Sequence, residues 1–323
     1  MKRRLLLAGL AVPGLAVPGL ARAQGWPVRP LRLISPFAAG STVDLMARAV
    51  AQPLGEQLGQ PVVVENRTGA GGNVGVDAAA KAAKDGYTLA VGTSGPLSIN
   101  PELLPAMPYD VATELAPVSL LAVGPNVLLL GKEVPARSVA ELVALAKARP
   151  GELNFGSSGI GSSNHLAGAV FAATAGVELT HIPYRGNADM VNDLVAGRLH
   201  MVFSGLPPVL PLVQAGTLRP LVVCGPARVA AIGGVPTVAE AGLAGAEAIS
   251  FYGVVAPAGT PAAVLARLEQ ALRVVLGRED VRATYRNLGS EAEASSPAAF
   301  SALIASERAK WSGVIRRYGI RPG

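Results

Sequence analysis

The chain of 323 residues has one cysteine, three histidines and, beyond its first two dozen residues, no apolar run long enough to cross a membrane. Each scarcity excludes something. Cys224 alone closes no internal disulfide, so stability must come from the core. Set beside the apolar residues 218–223, it reads as a small buried hydrophobe and not as a nucleophile. Three histidines with no close pair give no metal constellation. Charged residues make up only 15% of the chain, and the basic ones are scattered, which leaves no stripe for nucleic acid. The Gly-Lys-Ser/Thr ending of a phosphate-binding loop is absent.

The first 23 residues read as a cleavable export leader. Lys2, Arg3 and Arg4 precede an apolar stretch broken by Pro13, Gly14, Pro18 and Gly19, and Ala21 and Ala23 stand where a signal peptidase reads small residues, with cleavage near Ala23. The leader takes four basic residues and no acids, so the net charge falls from +6 to +2 (24 basic, 22 acidic). About 300 residues remain, enough for a large core and, by size, two domains.

What is present is organised around residues 31–58. Leu31, Leu33 and Ile34 predict a buried strand, and Val43, Met46, Ala47, Val50 and Leu54 recur at helical spacing. Between them lies a small-residue loop, with Ser41, Thr42 and Asp44 placed as cap and first-turn acid of a helix starting near Thr42. Such a helix start offers unclaimed N–H groups and a positive dipole end, a dock for an anion on bare main chain. No Lys or Arg lies between Arg32 and Arg48 to form a side-chain ion pair instead.

The pattern then alternates. Residues 61–65 predict a strand, 73–84 an Ala-rich helix and 87–92 a third strand, a βαβαβ unit whose binding loops fall at the carboxyl ends of its strands. Residues 118–123 and 126–130 are apolar, and Ser138-Val139-Ala140-Glu141 is a capping box. The opening stretch is then echoed: strand 153–155, loop 156–161, and a helix capped by Ser162 or Ser163 and carrying His165. Strands follow at 178–182, 199–203, 218–224 and 249–256, with helices at 188–196 and, capped by Thr237, at about 237–242. From Thr260 to Tyr318 the chain reads as helical and is best packed back on the first domain, with crossings near 122–126 and 248–253.

Two enzymatic motifs nearly fit. Gly69-Ala70-Gly71-Gly72-Asn73-Val74-Gly75 follows a strand and opens a helix, but the dinucleotide fingerprint meets Val74 where its last glycine belongs. Gly156-Ser157-Ser158-Gly159-Ile160 begins like a nucleophile elbow but has Ile160 at the second glycine, and only His200 follows the available aspartates. What remains is hydroxyl-rich loops at strand ends in two similar half-domains: Ser35 to Thr42, Thr93 with Ser94, Ser157 to Ser163, Tyr184 with Arg185, and Ser204. This is binding chemistry without proton transfer. His165, in a first helical turn, is expected to be neutral because the dipole disfavours a cation there. Arg185 is expected to be solvated.

The chain resembles the Bug family, periplasmic solute-binding proteins of tripartite tricarboxylate transporters. The matching segments are PFAAGSTVD at 36–44 with Arg48, VVVENRTGAGGNVG at 62–75, KDGYTLAVGTSG at 84–95, SSGIGSSNHLAG at 157–168, HIPYRG at 181–186, VPTVAEAG at 235–242 and GVVAPAGTP at 253–261. The resemblance implies an α/β two-domain Venus-flytrap periplasmic binding protein fold with two crossover strands, a small carboxylate in the cleft, no cofactor and no catalysis. Its expected domains are 24–124 with 250–323, and 125–249. The expected ligand-binding set is Ser35, Pro36, Phe37, Ala39, Gly40, Ser41, Thr42, Thr93, Ser94, Ser157, Ser158, Gly159, Gly161, Ser162, His165, Tyr184 and Ser204. Ala38, Ser41 and Val43 depart from the family's usual first loop, and Ser204-Gly205 stands where an aspartate is common, which disfavours an ammonium-bearing ligand. The expected partners are a small organic carboxylate and membrane transporter subunits, the chain acting as a monomer without nucleic acid. A ligand sensor for a signalling partner is the alternative, and a serine hydrolase a lesser one.

Overall fold

A computed structural model describes residues 25–184 and 186–322; the leader and Arg185 lie outside the described residues. β1 (Leu31–Ser35) feeds α1 (Thr42–Leu58), and β2 (Val62–Asn66) feeds α2 (Asn73–Ala80). β3 (Thr88–Thr93) runs into a π-type turn, Gly95–Ile99, followed by α3 (Asn100–Leu103) and α4 (Val111–Glu114). After β4 (Leu115–Leu130) come α5 (Val139–Ala148), β5 (Asn154–Ser157), α6 (Ser163–Ala175), β6 (Thr180–Pro183), α7 (Asn187–Val195), β7 (Met201–Gly205), α8 (Leu210–Gln214) and β8 (Arg219–Val223). β9 (Ile249–Pro257), α9 (Ala262–Gly277), α10 (Glu279–Asn287), β10 (Glu291–Ala292) and α11 (Pro297–Tyr318) complete it.

Two parallel sets of strands, β2-β1-β3 and β7-β5-β6, are joined through β9 and β4. β9 lies antiparallel to β3, and β4 lies antiparallel to both β9 and β7. The two apolar stretches expected around 118–130 are therefore one strand of 16 residues. Its first part pairs with β9 as far as Pro125↔Ile249, and from Asn126↔Gly205 onward it pairs with β7 and β8. The chain returns beside it: Ala248 donates its N–H to the Cys224 carbonyl and accepts from the Asn126 N–H, while Ser250 already stands opposite Gly124. Both crossings thus lie side by side, a two-domain α/β arrangement with two crossover strands, as the sequence predicts.

Alternating burial explains the cores. Leu31 and Leu33 point with Met46, Val50 and Leu54 of α1 into one cluster, and Ile34 into another on the opposite face with Val76, Phe251 and Phe300. The second half repeats this, with Phe155, Leu166, Val170, Phe171 and Phe203 on one face and Met190, Leu194 and Val202 on the other. α11 serves both: Phe300 and Ile304 sit in the first half, whereas Trp311 and Ile315 join the cluster of Leu166 and Phe171. Packing the tail on the first half alone is corrected accordingly.

Two other expectations are corrected. α2 ends at Ala80 and not Lys84, because Lys81 leaves helical geometry and its ammonium bonds Asp77 and the Pro108 carbonyl. At 237–242 the capping box forms, with Thr237 Oγ1 accepting from the Glu240 N–H and Glu240 Oε2 from the Thr237 N–H, yet no helix follows. Gly242, at φ +82°, closes the turn after one cycle, and Leu243 donates back to Val238 so that Ala246 and Ala248 reach the core.

Candidate functional site

α1 and α6 start alike. Ser41 caps α1 with its Oγ accepting from the Asp44 N–H at 3.2 Å, and Ser162 caps α6 by accepting from the His165 N–H at 3.4 Å. The cap residues' own N–H groups go to Ala38 O and Gly159 O, and those of Leu45 and Leu166 to the carbonyls of Ser41 and Ser162. Among the described residues, nothing accepts from the N–H groups of Thr42 and Val43, or of Ser163 and Asn164. These four donors, two on each helix, belong to residues lining one cavity between the halves.

Phe37, Ser41, Thr42, Val43, Thr93 and Tyr252 line it from the first half; Ser158, Ser162, Ser163, Asn164, Asn187 and Gly205 from the second; Asn126 lies at the crossing. Among the described residues the wall carries no Lys, Arg, Asp or Glu. Thr42 Oγ1 is buried without a hydrogen-bond partner among them, beside the place where a side chain at Gly205 would stand. Burial pushes the Tyr252 hydroxyl up to about 12, so it stays a protonated donor.

Behind each start, a side chain fixes the loop. Asp44 Oδ2 accepts from the Gly40 N–H at 2.9 Å and from Arg48 Nε at 2.9 Å, and its Oδ1 accepts from Asn66 Nδ2. Burial works to raise this carboxyl, but the hydrogen bonds from Arg48, Asn66 and Gly40 outweigh it and hold it below the ordinary carboxylate range. In the second half His165 Nδ1 accepts from the Gly161 N–H at 3.2 Å, and its ring stacks on His181 with centroids 4.2 Å apart. Burial first, then the neighbouring His181, lowers His165 to about 3; burial lowers His181 to about 4. His165 is neutral as the sequence predicts, with burial as the larger cause.

The expected site residues divide into groups. Phe37, Ser41, Thr42, Thr93, Ser158 and Ser162 are on the cavity wall, and Gly159 and Tyr184 line an adjoining groove with Gly71 and Ile160. Gly161 and His165 stand behind the wall. Ser35, Ser94, Ser157 and Ser204 are buried with hydroxyls engaged in the fold: Ser35 and Ser204 donate to the carbonyls of Phe37 and Gly205, and Ser94 accepts from the Phe251 N–H. Ser157 Oγ lies 2.7 Å from His181 Nε2, but Ser157 is fully buried and no carboxylate among the described residues bonds His181. Pro36 packs against Gly75, while Ala39 and Gly40 are exposed and off the cavity wall. Asn126, Asn164, Asn187 and Tyr252 join the wall without having been expected there. Asn126 carried a signal, an amide within the apolar run of β4; Tyr252 within apolar β9 gave none.

The model of the tripartite tricarboxylate transporter family receptor matches residues 46–320. The protein BugT of Bordetella pertussis is 36% identical over 322 residues, 99% of each chain. Two solved structures superpose closely: R. palustris Rpa4515 with adipate, at 39% identity and TM-score 0.89 over 92% of this chain and all of that one, and MatC (Rpa3494) from Rhodopseudomonas palustris with bound malate, at 30% identity and TM-score 0.87 over 90% of this chain and all of that one. With two parallel half-sheets, two crossover strands and a cavity between the halves already established, the chain belongs to the tripartite tricarboxylate transporter receptors, the Bug solute-binding proteins.

Proposed function

We propose that this protein binds a small organic carboxylate between its halves, performs no chemistry on it, and delivers it to the membrane subunits of a tripartite tricarboxylate transporter. The observation that carries the reading is the pair of helix starts whose four unclaimed N–H groups belong to residues on one cavity with no acidic or basic side chain among its described lining. Helix N-termini favour negative charge, and their donors already point outward, so a carboxylate replaces its lost hydration with fixed main-chain groups. The bound adipate and malate of the two similar structures support this class of ligand. On the same reading the leader ends near Ala23 and directs the chain to the periplasm. Residues 24–124 with 250–323 then form one domain and 125–249 the other, with the final turns of α11 laid across both.

Calorimetry with adipate, malate, citrate, benzoate and glutamate is the test. At least one free acid binds and its methyl ester, which has lost the charge, does not. Equal binding of acid and ester places the anion elsewhere, and silence across all five discards the carboxylate reading.

A further inference from the structure

The two halves approach each other across the cleft most closely at glycines. A Cβ placed on Gly95, just after β3, would stand 2.8 Å from the carbonyl oxygen of Gly161 in the opposite half and 3.4 Å from that of Gly71. One placed on Gly186, at the start of α7, would stand 2.7 Å from the Ala38 Cβ in the opposite half. Contacts under 3.0 Å require something to shift. The Gly161 carbonyl is backbone in a loop pinned by the Gly161–His165 and Ser162–Gly159 hydrogen bonds, so it cannot swing aside like a side-chain tip. Neither glycine is needed for its own conformation: Gly186 is extended at φ −173°, and Gly95 is not among the positive-φ residues. Gly71 and Gly161 lie in the same seam, but their φ of +62° and +77° would strain any side chain wherever the halves stood.

We propose that Gly95 and Gly186 are positioning residues for the closed cavity, and that one methyl group at either wedges the halves apart without disturbing either half. The halves carry separate parallel strand sets, β2-β1-β3 and β7-β5-β6, joined only through β9 and β4 at adjacent crossings, so rotation about those crossings relieves the overlap. Closure brings the α1 and α6 donors to one cavity, and apparent affinity falls with the fraction of molecules able to close. Only the affinity part of the test rests on the carboxylate reading.

Spin labels on Val63→Cys in the first half and Val195→Cys in the second, both exposed in the native protein, report the separation of the halves; native Cys224 is fully buried and stays unlabelled. Distances are measured without ligand and with adipate and malate as probes. The expected result is a short-distance population in the parent, depleted at least tenfold by Gly95→Ala or Gly186→Ala, with a matching loss of affinity for a probe that binds. Gly277→Ala and Gly313→Ala, where a Cβ meets nothing within 4 Å, leave it unchanged. Ala38→Gly removes the atom that Gly186→Ala strikes, so the double variant regains the short distance. Unchanged distances in both alanine variants, no rescue by Ala38→Gly, or a parent without a short-distance population overturns the proposal. If the parent closes but calorimetry detects no carboxylate, the carboxylate reading fails while the distances still decide the seam.

Discussion

The segments Gly40-Ser41-Thr42-Val43-Asp44 and Gly161-Ser162-Ser163-Asn164-His165 are two copies of one device with one part exchanged. Each has a left-handed glycine, at φ +75° and +77°, then a serine cap, two residues with unclaimed N–H groups, and a side chain that reaches back to the glycine's N–H. In the first copy that side chain is a carboxylate, in the second a neutral imidazole. The geometric task is the same: an acceptor four residues on ties down the loop. The electrostatic result differs. Asp44 puts a negative charge behind its helix start, offset by Arg48, whereas His165 puts none behind α6. The second half is therefore the better seat for an anion, and the first half the better braced.

Acid separates the two copies most. His165 and His181 have folded pKa values of about 3 and 4 against an ordinary 6.5, so below pH 6.5 the unfolded chain binds protons that the folded chain refuses. Their contribution to stability is complete above pH 6.5 and is lost as pH falls from there towards 4, by up to about 1.4 kcal/mol per pH unit for the deeply buried His165 and by less for the partly solvated His181. Chemical denaturation at pH 7 and pH 4.5 should show this loss, and His181→Phe should shrink it; a flat profile across that window would show that the imidazoles are solvated.

Removing donors from the two starts tests their inequality next. The first helical position accepts proline, and Ser41 and Ser162, at ψ 160° and 158°, already have the extended conformation that a following proline requires. Ser163→Pro deletes one N–H of α6 and should weaken carboxylate binding by about ten- to a hundredfold, the range of a hydrogen bond to a charged group at roughly 1.5–3 kcal/mol. Thr42→Pro, on the copy with the carboxylate behind it, should cost less. Ser163→Ala and Thr42→Ala keep the N–H groups and correct each for its lost hydroxyl. Equal losses in titration calorimetry would remove the electrostatic distinction.

Asp44→Asn keeps an acceptor for Gly40 but removes the charge. Carboxylate affinity should rise several-fold, while stability falls by about 1–3 kcal/mol through the weakened bonds to Arg48 and Asn66. Weaker binding in a variant that keeps its parent's melting behaviour would mean that the carboxylate serves the site directly. The smallest effect belongs to the caps. Ser41→Ala should cost about 1 kcal/mol of stability through its cap bond, and Ser162→Ala somewhat more, because its hydroxyl also donates to the Gly159 carbonyl at 2.6 Å; equal urea midpoints for the two variants would show that this extra bond adds nothing.

Much of this was legible in advance. Strand, loop and helix at residues 31–58 follow from local period and capping chemistry, and the echo at 153–173 from the same signals. The loops at strand ends followed from parallel topology. Less legible was which hydroxyls would face the cavity. Ser94 and Ser204 looked equivalent to Thr93 and Ser158 in sequence, yet Ser94 accepts from Phe251 and Ser204 turns to Gly205 O. Side chains alternate along a strand, so one step in register separates the wall from the core. The Thr237 capping box shows the same limit: local chemistry formed the turn, and the path back to the core ended it.

By itself, the sequence determined the parts whose causes lie within a few residues: the two capped helix starts, the left-handed glycines before them, and the alternation of strands and helices. The tertiary structure alone decided what depends on distant segments meeting. It brought Asn126 and Tyr252 from the crossover strands to the cavity, buried His165 against His181 so that it is neutral, laid α11 across both halves, and set Gly95 and Gly186 against the opposite half. Hydrogen bonds and backbone angles act over one turn of chain, whereas burial and steric exclusion depend on which surfaces are pressed together.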